Sequence, residues 1–160
     1  MKEPEEIIEA QLVAAISAAV PGMDVIGALA PAPEGEEKNS PDTNISVFAD
    51  VAGQGLDFTG PNVPFSFAVR VTVHFALADD ARGAFFRDTC RSVRGALNAL
   101  LGDGCAALSA EGFACDAFTL DSTSTSYDTD AAAGGWAKAY NATVNGRFTT
   151  ETTTNEEGGQ

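Results

Sequence analysis

The chain has 160 residues, 44% of them hydrophobic and 20% charged, which suits one globular domain. Its 23 acids against 9 lysines and arginines give a formal charge of −14, so it should repel DNA phosphates rather than bind them. No apolar run approaches the ~20 residues of a membrane-spanning helix, and the acidic start lacks the basic region of a signal peptide. We therefore expect a cytoplasmic protein.

The first predicted element is a helix over residues 5–20. Apolar residues recur there at helical spacing, Pro4 lies at its start and Pro21-Gly22 follow its end, as is typical of helix boundaries. A helix of this length is marginal alone, so it needs a surface to pack against. Residues 30–42 are rich in Pro and Glu without periodicity, which predicts an exposed loop.

Two strands are predicted next, at 44–52 and 65–78. In both, apolar and polar residues alternate, which indicates one buried and one open face. The second strand is unusually long and carries Arg70, Thr72 and His74 on its polar face. The turn-rich residues 53–64 connect the two strands into a hairpin with an extended tip.

A second helix is predicted over residues 81–102, with Asp79 and Asp80 as its cap. Its core stripe consists of Phe86, Cys90, Val93, Leu97, Leu100 and Leu101. A separate stripe of the same helix carries Arg87, Arg91, Arg94 and Asn98, because residues three and four apart share one helix face.

The remaining chain predicts a second hairpin, with strands at 113–120 and 136–150. The first of these can continue through the polar run up to residue 127. The expected fold is therefore α+β, a mostly antiparallel four-stranded sheet with two helices on one face in the order α-β-β-α-β-β. Residues 1–150 form this single domain, and the polar residues 151–160 form a disordered tail.

No residue cluster predicts catalysis. His74 is the chain's one histidine, and the sequence places no orienting carboxylate or nucleophile beside it at a recognisable spacing. The three cysteines lack a CxxC pair, and Asp121, Asp128 and Asp130 lack the pattern of a calcium loop. We predict no enzyme activity, no catalytic residue, no metal site and no cofactor.

The arginine stripe, Arg87, Arg91 and Arg94, has two interpretations. In the first it is a solvated helix flank, with Asp88 paired to Arg91 across one turn. In the second it is an assembly surface, because a basic stripe on so acidic a protein attracts acids of another copy. The acids of the loop at 30–42 are one candidate partner.

Two runs of the chain resemble bacteriophage tail terminator or tail-completion proteins. They are FAVRVTVHFALADDARGAFFRDTCRSVRGALNALL at 67–101 and FTLDSTSTSYDTDAAAGGWAKAYNATVNGRF at 118–148. The first passes from a strand through an acidic cap into an amphipathic helix, and the second has a polar middle and an aromatic-led last strand. The resemblance covers about residues 5–150 and rests on this pattern rather than on a diagnostic motif.

This resemblance implies a ring-forming virion protein, since tail terminators form rings, often hexameric, that cap the tail tube. The implied partners are further copies of the chain and the tail-tube and neck proteins, while DNA passes through the ring without specific binding. The protein would be made in the bacterial cytoplasm and end in the virion tail. The alternatives are a small ligand-binding module with an apolar pocket between helices and sheet, and a hydrolase or isomerase that uses His74.

Overall fold

A computed structural model describes residues 4–27, 43–54, 62–76, 83–128 and 135–149. Its α-helices are α1 (Pro4–Ala19) and α2 (Ala84–Asn98), and a 3-10 helix spans Gly102–Leu108. Its strands are β1 (Val25–Gly27), β2 (Asn44–Gln54), β3 (Asn62–Ala76), β4 (Phe113–Asp128) and β5 (Gly135–Thr149). The predicted tail at 151–160 and the predicted loop at 30–42 lie outside these residues.

The prediction of a four-stranded, mostly antiparallel sheet was wrong. The sheet has five strands in the order β1-β2-β3-β5-β4, and β1 runs parallel to β2. The element order is thus α-β-β-β-α-β-β, with the 3-10 helix after α2. The missed strand has only three residues, too few to show an alternation in sequence. The other neighbouring strands are antiparallel.

The core lies between the two helices and one face of the sheet, as the alternation predicted. Side chains of one parity on β2, β3 and β5 are buried, while their neighbours face away from the helices. The helices contribute apolar side chains at helical spacing to the same cluster. The largest fully buried side chains include Ile8, Leu12, Ile16, Phe67, Leu97, Leu108 and Tyr140.

Strand β4 is the long edge strand that the sequence only partly revealed. It runs through the polar DSTSTS segment to Asp128, and its pairing with β5 shifts between Cys115 and Ala117 and again between Leu120 and Ser122. A bulge of this kind inserts an extra residue and exchanges the two faces of the strand. For this reason β4 does not show one continuous alternation in sequence.

Helix α2 begins and ends inside the range predicted for it. Its N-cap is Gly83, with φ of 77°, so the predicted cap by Asp79 and Asp80 was wrong; both lie outside the described residues. Of the predicted core stripe only Leu101 is exposed, and it follows the end of the helix. Among the described residues, no helix has the length and apolar character needed to cross a membrane.

Helix α1 also supplies a buried carboxylate to the edge of the sheet. Glu9 is 6% exposed, and its Oε2 accepts a hydrogen bond of 3.0 Å from the backbone N–H of Ala49. Among the described residues, strand β1 pairs with β2 from Ile45 to Val47, and Ala49 lies two residues further along β2. Glu9 therefore supplies the acceptor for the Ala49 N–H next to this pairing.

Candidate functional site

An open groove of about 640 Å³ lies between α2 and the β4–β5 hairpin. Both elements are amphipathic, and cationic side chains of both line the groove. The predicted interface residues Arg87, Arg91 and Arg94 all line this groove. The other lining residues are Gly83, Phe86, Cys90, Gly95, Asn98, Thr125, Trp136 and Lys138.

The periodicity of α2 positions the arginines. Phe86, Cys90, Val93 and Leu97 are buried against the core, which turns the neighbouring stripe to the flank of the helix. Arg87, Arg91 and Arg94 are all exposed there. The three residues thus lie on one flank of α2, separate from its core stripe; that this flank is an interface stays a prediction.

The hairpin supplies the opposite wall. Lys138 of β5 pairs in register with Thr125 of β4, and both face the helix side of the sheet. The Nζ atom of Lys138 lies 5.6 Å from the centroid of the Tyr140 ring, a distance at which a cation is attracted to the face of an aromatic ring. The groove therefore has positive charge on both walls.

Aromatic rings form its floor near the start of α2. The rings of Phe86 and Trp136 stack with centroids 5.8 Å apart and planes 24° apart. Gly83 approaches the indole so closely that a Cβ there would lie 3.0 Å from the ring, and its positive φ also favours glycine. This glycine lets the first turn of α2 rest on Trp136.

Tyr140 joins the two walls beneath the cations. Its hydroxyl is buried and donates a hydrogen bond of 3.0 Å to the backbone carbonyl of Cys90. Burial raises the pKa of Tyr140, the adjacent Cys90 adds to the rise, and the positive charge of Arg94 opposes it. The buried phenol thus ties α2 to β5 at the groove.

The charges of the groove are largely uncompensated. Arg91 pairs with Asp88 at 3.0 Å, as the helix-flank interpretation predicted, but both side chains are more than 70% exposed, where such a pair contributes only about 0.2–1 kcal/mol. Within the described residues, no carboxylate pairs with Arg87, Arg94 or Lys138. These cations can therefore accept acidic partners.

The other candidate residues lie elsewhere. His74 is half-exposed on the face of the sheet that points away from the helices and the groove. Asp121, on β4, accepts hydrogen bonds from the hydroxyls of Thr119 and Thr143, so its oxygens already have partners. No group of three potential metal ligands occurs among the described residues.

Sequence reasoning missed Lys138, Trp136 and Thr125 as part of this site. Lys138 and Trp136 share the parity of the buried residues on β5. A lysine on an otherwise apolar strand face is the one signal in the sequence that could have indicated this wall of the groove. Lys138 lies opposite Arg94 of α2 across the groove. The two residues are more than 40 positions apart in sequence, so their proximity depends on tertiary packing.

No protein-family model and no curated protein matches the chain. Among the solved structures that the fold resembles is a chain of the virion of native gene transfer agent (GTA) particle. The two are 20% identical, with a TM-score of 0.47, and the match covers 89% of this chain and 91% of the other. The likeness is a loose one of fold.

Proposed function

We propose that this chain is a structural protein of a phage or prophage virion, without enzymatic activity. In this proposal copies of it form a ring that caps the tail tube and joins it to the neck, with Arg87, Arg91 and Arg94 at the contact between copies. The phage context is supported by the resemblance of residues 67–101 and 118–148 to tail terminator proteins.

The observation that carries the proposal is the concentration of positive charge in one groove. Of the nine basic residues, four in the described part of the chain line it, and the other five stand against 23 acids, a balance of −18. Copies with such a charge repel one another over most of their surface. Close association requires local complementarity, and the groove supplies the positive partner.

The same charge fits a conduit for DNA. A strongly acidic surface repels a polyanion, so a ring of these copies would let DNA pass without retaining it. The apolar-pocket alternative has less support, because buried side chains fill the layer between helices and sheet. The groove lies at the flank of α2 and is lined by cations.

The test is a triple variant, Arg87→Glu, Arg91→Glu and Arg94→Glu. Since all three side chains are exposed, the monomer should keep its circular dichroism spectrum and its melting temperature within a few degrees. Sedimentation velocity at low salt should show assembly by the wild type and loss of assembly by the variant. Phage tail completion should be lost in parallel if the gene is part of a functional prophage.

Arg70→Glu is the matched control for Arg94→Glu, because both substitutions change the charge by the same amount. Arg70 is exposed on the opposite face of the sheet, where it donates to Asn141. We expect Arg94→Glu to weaken assembly much more than Arg70→Glu. Equal effects would show that total charge rather than the groove governs association, and a triple variant that assembles like the wild type would refute the interface.

A further inference from the structure

The groove is concave, which limits what can neutralise its charge. Helix α2 forms one wall and the β4–β5 hairpin the other, so a flat sheet face cannot bring carboxylates to both walls together. An extended chain segment can. A cavity of about 640 Å³ falls in the range that accommodates a small ligand, and so takes a few residues rather than a domain.

The chain itself contains such a segment after its last strand. Residues 151–160, ETTTNEEGGQ, carry Glu151, Glu156 and Glu157 and no basic residue. They lie outside the described residues and follow Thr149, the last residue of β5. Their negative charge complements the cationic groove.

We propose that residues 151–160 of one copy occupy the groove of a second copy. Glu156 and Glu157 would then face Arg87, Arg94 and Lys138. This inference rests on the proposed function, because it assumes that copies of the chain associate. It adds the identity of the acidic partner, which is residues 151–160 of the neighbouring copy.

Reach limits one contact within a single copy, that of Glu157 with Lys138. Lys138 lies near the start of β5 and Thr149 at its end, eleven residue steps apart, or roughly 37 Å at ~3.4 Å each. Glu157 follows Thr149 by eight residues, which span at most about 29 Å when fully extended. The backbone at Glu157 therefore cannot lie alongside Lys138 of its own copy.

Occupation from copy to copy also explains how the contact can close a ring. Each copy offers one groove and one segment at different places, so the contact is head-to-tail. Such a contact closes into a ring when the rotation between successive copies divides a full turn. The positive charge of each groove is then neutralised by residues 151–160 of the neighbouring copy.

Charge reversal in the full-length chain tests the proposal. The groove variant carries Arg87→Glu, Arg91→Glu and Arg94→Glu, and the tail variant carries Glu151→Lys, Glu156→Lys and Glu157→Lys. Each alone places like charges at the contact, so each should raise the protein concentration needed for half-assembly by at least about tenfold. Circular dichroism should show that both variants remain folded.

Mixing the groove variant with the tail variant is the decisive experiment. In an equimolar mixture every groove can meet a segment of opposite charge on the other variant, so assembly should return to within about threefold of the wild type. A single chain with all six substitutions should also assemble. Recovery in the mixture shows that the segment acts between copies.

The outcomes separate this inference from the proposed function. If the tail variant assembles like the wild type while the groove variant does not, residues 151–160 are not the partner and assembly through the groove stands. If both variants fail and the mixture also fails, the two elements do not meet and the inference is overturned. If the wild type itself never associates, both the inference and the proposed ring are overturned.

Discussion

Replacing the buried Glu9 with alanine tests how the short strand β1 is completed. The substitution removes the acceptor of the 3.0 Å hydrogen bond from the Ala49 backbone, and Ala49 is itself 1% exposed. A buried N–H left without a partner costs about 1–3 kcal/mol, and each lost buried methylene adds ~0.8 kcal/mol. We expect the free energy of unfolding to fall by about 2–4 kcal/mol.

Urea unfolding followed by circular dichroism measures this loss, and the melting temperature should drop by roughly 4–16 °C for a domain of this size. Glu9→Gln retains an amide oxygen that can accept from Ala49, so it should lose less than half as much. Glu6→Ala, at an exposed position on the same helix, is the control and should change stability by less than about 0.5 kcal/mol. Equal stability of Glu9→Ala and Glu6→Ala would refute the edge-capping role.

Three further predictions concern Tyr140, Cys115 and His74. Tyr140→Phe removes the donor to the Cys90 carbonyl and should cost about 1 kcal/mol in urea unfolding at pH 7. Because the raised pKa of Tyr140 keeps its proton in the folded state, wild-type stability should fall as pH rises above the ordinary value of 10.0, and Tyr140→Phe should reduce that fall in thermal melts. Burial raises the pKa of Cys115 to about 12, so iodoacetamide at pH 8 should modify it more than about tenfold more slowly in the folded protein than in urea. His74→Ala should leave the melting temperature within a few degrees and assembly unchanged, as measured by calorimetry and sedimentation.

Each of these has a clear contrary result. An alkaline profile of Tyr140→Phe identical to the wild type would show that the phenol does not contribute to the loss. Equal alkylation rates of Cys115 in folded and unfolded protein would contradict its burial. A loss of assembly of more than tenfold in His74→Ala at normal thermal stability would assign that residue a role in function.

The sequence predicted the long strands well because each has one buried face. On β3 the alternation from Phe67 to Phe75 coincides with burial, and β5 repeats the pattern. The tip of the first hairpin was placed less well, since β2 continues to Gln54 and β3 begins at Asn62. Turn residues such as Gly53 and Pro64 are thus incorporated into paired strands, and residues 55–61 lie outside the described residues.

Two features of the sheet could not be predicted from local pattern. The three residues of β1 pair with β2 through long-range hydrogen bonding rather than through a periodic signal of their own. Strand β5 inserts between β3 and β4, a crossover that depends on tertiary packing. Since β4 is thereby an edge strand, its Ser/Thr-rich run can remain exposed while still being paired on one side.

One wall of the candidate site can likewise be predicted from sequence pattern, while the other depends on tertiary packing. The arginine stripe follows from helical spacing alone, because Arg87, Arg91 and Arg94 are three and four residues apart. The opposite wall requires the register that places Lys138 beside Thr125 and the contact of Trp136 with Phe86. The sequence therefore predicts only an exposed flank of α2, whereas the structure shows a groove between α2 and the β4–β5 hairpin.

The central claim is association of copies through the cationic groove, and the native mass of the wild-type protein tests it most directly. Sedimentation should be measured across protein concentrations at low ionic strength and again near 1 M salt, where the Debye length falls to about 3 Å. We predict a concentration-dependent change from the 16.5 kDa chain to one closed multiple of that mass, and high salt should reverse it. A species of 16.5 kDa at every concentration and at both salt levels would contradict it.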